Sequence, residues 1–161
     1  MTPTLLGRWQ SRLLLFVFLG LPITALFSFL VAGWGWPEAN ILWYQPFNFI
    51  TYVTIVGLIL DPLYIQLQRF RWDQDWPFAF QFFFTIVEFL IVLGLVKWGL
   101  LEDYLPELLN VPQALPPWAA VTHFTMVFIP SFIALLAGVQ LFLIRWRFKG
   151  GEISRFPISS R

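Results

Sequence analysis

The chain has no cysteine among its 161 residues, and only 12% of those residues are charged. The first absence excludes disulfides, thiolate metal sites, iron–sulfur clusters and a cysteine nucleophile. The second sets the chain far from the roughly one-quarter charged composition of soluble domains. A net charge of +1 without any basic tract leaves no electrostatic footprint for nucleic acid, whose phosphates need clustered Lys and Arg. The single histidine cannot supply bis-histidine haem ligation, and HExxH, paired-cysteine and facial-triad spacings are missing. A metal site would have to combine His123 with Glu88 or Asp61, which is a weak donor set. GxGxxG and Walker loops are also missing, and Ser28 and Ser131 carry no nucleophile elbow. The sequence therefore assigns no cofactor, no metal and no catalytic residue.

What is present is apolar: 58% of the residues are hydrophobic and 20% aromatic. A bilayer core of roughly 30 Å needs about 20 apolar residues at about 1.5 Å each. Segments near residues 13–33, 47–67, 78–99 and 118–144 meet that requirement. The first follows Arg8 and Arg12 and is too long for the apolar core of a signal peptide, so it reads as an uncleaved signal anchor. The expected fold is an all-α integral membrane protein, a four-helix transmembrane bundle over residues 1–149 with a flexible cytoplasmic tail at 150–161.

Lys and Arg set the orientation. Arg8 and Arg12 precede the first span, Arg69 and Arg71 separate the second from the third, and Arg145, Arg147, Lys149, Arg155 and Arg161 follow the fourth. The other two connections carry Glu38, Glu102, Asp103 and Glu107 instead, so the positive-inside rule puts both termini in the cytoplasm. Trp34, Trp36, Trp43, Tyr44, Trp98, Tyr104 and Trp118 fall at the outer boundary, and Trp72, Trp76 and Trp146 at the inner one. Lys97 sits near the outer end of its helix, where its stem can snorkel. In the outer loop, Leu101, Leu105 and Leu108 recur at helical spacing and suggest a short surface helix interrupted by Pro106.

The connection RFRWDQDWP has two readings. Arg69, Arg71, Trp72 and Trp76 are what interfacial anchoring uses, Pro77 suits a first helical turn, and Asp73 and Asp75 can pair with the arginines. The same Trp and Arg content also suits a partner-docking surface.

Lipid gives helices no hydrophobic reason to associate, so their inward faces should carry small and polar residues. Gly20, Thr24, Ser28 and Ala32 recur at intervals of four on the first helix, which Pro22 should bend. On the second, Thr54, Gly57, Asp61, Tyr64 and Gln68 project within about 80° of one another at about 100° per residue. Gln81, Thr85 and Glu88 share a face of the third; His123, Pro130, Ala134 and Ala137 share one of the fourth.

Three of these residues carry a carboxylate or an imidazole. Glu88 lies roughly 15 Å into its span, near the midplane, where a carboxylate must be protonated, bonded to a neighbour such as Thr54 or Thr85, or in contact with water. Asp61 precedes Pro62, nearer the cytoplasmic half, and could simply bond locally at a kink. His123 lies below the outer surface and could bridge two helices as a neutral ring. Taken together they form a descending series of the kind a proton path or a cation-coupled site uses.

Three functional classes follow. The leading one is an accessory, assembly or scaffold subunit of a larger membrane complex. The second is a small proton- or cation-coupled transporter using Asp61 and Glu88, although no inverted repeat supports it. The third is an intramembrane lipid-modifying enzyme of isomerase type, with Asp61, Glu88 and His123 as acid and base. The fragments LPITALF and HFTMVFIP resemble the four-helix sterol isomerase and sigma-2 receptor group. Carboxylate spacing and helix order do not follow that group, so the resemblance assigns no family. The expected partners are the lipid bilayer and either another membrane protein or further copies of the chain. Short loops suit a bacterial inner membrane and a thylakoid membrane equally.

Overall fold

In the computed structural model, residues 4–33, 41–70, 78–97 and 115–139 are described. Among them the chain is helical, and four helices are long and apolar enough to cross a membrane. Helix α1 runs through three segments, an α-helical Leu5–Leu15, a π-helical Phe16–Gly20 and an α-helical Leu21–Gly33. Helix α2 is Gln45–Arg69 and α3 is Phe78–Lys97. Helix α4 is Pro117–Ile133, continued by a π-helical Ala134–Val139. The loop residues 71–77, the outer loop at 98–114 and the tail at 150–161 lie outside the described residues.

Local chemistry explains where these helices start. Thr4 caps α1, its hydroxyl oxygen accepting from the Gly7 N–H at 3.1 Å. Helix α2 opens with Pro46 in its first turn, where a missing N–H costs nothing, and Gln45 Oε1 reaches back to accept from the Leu42 N–H at 3.1 Å. Helix α4 opens at Pro116-Pro117 for the same reason.

The first helix begins at Leu5, not at residue 13 as the apolar run alone suggests. Arg8 and Arg12 lie within it and find partners inside the bundle, so neither charge ends the helix. Where the sequence leads one to expect a bend at Pro22, the helix has a π turn just before it. The Leu21 N–H donates to the Phe16 carbonyl, five residues back. Proline cannot donate to the carbonyl four residues before it and its ring crowds that carbonyl, and a wider turn relieves both problems.

Two zones divide the interior. One is an apolar core in which Phe27, Phe49, Tyr52, Phe89, Val92, Ala119, Ala120 and Phe124 are buried together. Phe89 and Phe124 stack with centroids 4.2 Å apart, and Phe49 meets Phe89 edge-on at 5.9 Å. A ladder on α4 extends this packing, with Phe124 to Phe128 at 5.3 Å and Phe128 to Phe132 at 5.8 Å. The other zone is polar and surrounds Arg12.

Of the inward stripes expected on α1 and α2, Gly20, Thr24, Ser28, Gly57, Asp61, Tyr64 and Gln68 are buried and Thr54 is half-buried, while the side chain of Ala32 lies outside the described residues. Helix α4 differs. His123 is buried, but Pro130 and Ala137 are exposed, because the Phe ladder takes the inward positions. Phe18, Phe29 and Ile59 point outward and are exposed.

Candidate functional site: a buried ion junction beside a cavity

The polar zone is built around one guanidinium. Arg12 donates through Nε to Asp61 Oδ2 at 3.2 Å and through Nη2 to Asp61 Oδ1 at 3.0 Å. The same group donates through Nη1 to Glu88 Oε2 at 2.7 Å and through Nη2 to Glu88 Oε1 at 3.0 Å. Four of its five N–H donors are thus committed, and each carboxylate is gripped by two of them. Helices α1, α2 and α3 meet at this one side chain. Both carboxylates are 1% exposed, whereas Arg12 retains 22% and lines a cavity.

Arg8, one turn earlier on α1, completes the balance. Its Nη1 lies 3.5 Å from Asp61 Oδ1, and its guanidinium carbon sits 5.9 Å above the Tyr64 ring. Two arginines therefore face two acids. A neutral cluster is what a low-dielectric interior tolerates, since an uncompensated charge there costs several kcal/mol (on the order of 3–5 when one partner is removed).

Gly57 makes the junction possible. It lies one turn before Asp61, and a Cβ placed there would overlap the Arg12 guanidinium and come within 2.8 Å of Glu88 Oε2. Only glycine lets α2 approach so closely. Gly20 differs, because a Cβ there would meet Phe16 Cδ2 at an ordinary 3.5 Å.

Beside the junction lies a cavity of about 160 Å³. Arg8, Arg12, Asp61 and Glu88 form part of its wall, together with Ser11, Thr54 and Thr85. The Phe124, Phe128 and Phe132 ladder forms an apolar side. Thr54 and Thr85 do not bond the acids. Each hydroxyl donates to the carbonyl one turn back on its own helix, Thr54 to Ile50 at 2.9 Å and Thr85 to Gln81 at 2.8 Å.

The descending series expected from helix depth has a different form. Asp61 and Glu88 stand at one level, joined through Arg12. His123 belongs to the apolar zone. Its Nε2 shares a hydrogen bond of 2.9 Å with Thr24 Oγ1, linking α4 to α1, and its ring lies 5.0 Å from Phe27 and 6.3 Å from Phe49. Neither acid bonds to it, and its Nδ1 has no hydrogen-bond partner among the described residues. No group of three His, Cys, Asp or Glu able to hold a metal occurs among those residues. Of the loop residues read as a docking surface, Arg69 is exposed at the end of α2. Arg71, Trp72, Asp73, Asp75 and Trp76 lie outside the described residues.

Sequence reasoning missed Arg12 as a site residue. A usable signal was present: two interior acids need compensating cations, and Arg8 and Arg12 are spaced one turn apart, on the same face of a helix. No protein-family model, no curated protein and no solved structure matches the chain.

Proposed function

We propose that the chain is an integral-membrane accessory or scaffold subunit with both termini in the cytoplasm, in a bacterial inner membrane or a thylakoid membrane. The observation that carries this reading is the grip of Arg12 on both Asp61 and Glu88. A proton carrier needs a carboxylate that exchanges its proton with water, and an isomerase needs one free to act as acid or base. Here both are tied to a permanent cation in a charge-balanced cluster, an arrangement suited to fixing helix positions. The ring packing of Phe27, Phe49, Phe89 and Phe124 and the His123–Thr24 pair fill the other zone, which disfavours a continuous polar path. The partner is another membrane protein, met across the apolar helix faces or through the 69–77 connection.

Mild-detergent extraction of the tagged chain from its native membrane, followed by native mass spectrometry, tests the reading. A stoichiometric protein partner is expected. Recovery of the chain with copies of itself only, together with an ion flux in liposomes that Glu88→Gln alters, would replace the scaffold reading with the transporter. Because the sequence lacks cysteine, single cysteines added at each terminus report orientation directly. Labelling of either by an impermeant maleimide applied to intact cells would refute the cytoplasmic placement.

A further inference from the structure

The cavity has a chemistry of its own. Ser11, Thr54 and Thr85 line the cavity, and each donates its hydroxyl hydrogen to a carbonyl of its own helix, Ser11 to Gly7 at 2.7 Å, so what their oxygens have left to offer is lone pairs, as acceptors. The Glu88 oxygens each accept one hydrogen from Arg12 and keep further lone pairs. Charge is already balanced by Arg8, Arg12, Asp61 and Glu88. A cation entering would compete with Arg12 for its carboxylates, and an anion would meet two carboxylates whose arginines are engaged. A neutral hydrogen-bond donor meets neither penalty.

Size and the apolar wall define the rest. An engineered cavity of about 150 Å³ lined by apolar side chains accepts benzene, so the 160 Å³ here holds a hydroxyl with the first several carbons attached to it. The Phe124, Phe128 and Phe132 rings offer those carbons an apolar surface. We propose that this cavity binds a neutral membrane alcohol, its hydroxyl donating to the Thr85 oxygen and its carbon body lying along the Phe ladder. The proposal rests on the membrane-spanning reading and is independent of the protein partner.

The test uses the full chain in phosphatidylcholine nanodiscs, with thermal unfolding followed in the presence of 1-dodecanol, dodecanoate or dodecylammonium at equal mole fraction. The tails are identical and only the head changes. Near saturation, dodecanol should raise Tm by about 3–6 °C. That rise should disappear in Ser131→Phe, whose ring fills the cavity, and shrink in Thr85→Val, which keeps the shape and removes the acceptor. Should Ser131→Phe fail to fold, Thr85→Val decides alone. A rise with either charged probe that depends on these residues, no rise with dodecanol, or a dodecanol rise that survives the substitutions would each overturn the proposal. Failure of the chain to enter nanodiscs at all would instead overturn the membrane-spanning reading.

Discussion

Around Phe89 and Phe124 the bundle is held by ring against ring, whereas around Arg12 it is held by four charge-assisted hydrogen bonds converging on one side chain. The difference lies in how failure spreads. Ring packing is distributed over many contacts of a few tenths of a kcal/mol, so the loss of one ring leaves its neighbours in place. The ion junction is concentrated: losing its centre removes two hydrogen bonds from each buried carboxylate at once and leaves Asp61 only the longer contact to Arg8.

Removing the centre of each zone gives the sharpest contrast. Arg12→Met should destabilise the bundle by about 3–5 kcal/mol or prevent its assembly, read as unfolding in mixed micelles. Phe89→Ala should cost less than the roughly 3–5 kcal/mol typical of soluble cores, because lipid is as apolar as the interior it would replace. If the two losses were equal, the division into a concentrated and a distributed zone would be wrong.

Paired glycines provide the next contrast. Gly57→Ala should cost about 1–3 kcal/mol, since Arg12 must move to admit the methyl group. Gly20→Ala, with ordinary contact distances, should be neutral within about 0.5 kcal/mol. Comparable effects at both positions would point to general helix propensity and away from the guanidinium. The smallest effect should come from Thr24→Val, which removes the hydrogen bond to His123; such interhelical bonds in membrane proteins average roughly 0.6 kcal/mol. A loss above about 2 kcal/mol would show that His123 anchors the apolar zone by more than this bond.

Much of this architecture is legible in the sequence. Apolar runs give four helices close to those observed among the described residues, and 3.6-residue periodicity places Gly57, Asp61 and Glu88 on inward faces. The span of α1 is read too short because counting apolar residues stops at a charge. A charge with a buried partner does not obey that count, and its partners lie far away in sequence. The grouping of His123 with the acids fails for a related reason: depth along a helix says nothing about which neighbour a side chain faces. Thr24 and Phe27 of α1, not Glu88, surround the imidazole.

Arg12 also imposes an order on biogenesis. The ribosome delivers α1 before Asp61 and Glu88 exist to receive its guanidinium. In a bilayer, α1 then carries an unmatched charge that insertion scales price at about 2.5–3.5 kcal/mol at mid-helix, and Arg12 must reach towards the headgroups in the interim. Only when α2 and α3 have entered can α1 settle to its final depth. Of the three helices that meet at the junction, the one synthesised first would therefore be the last to settle.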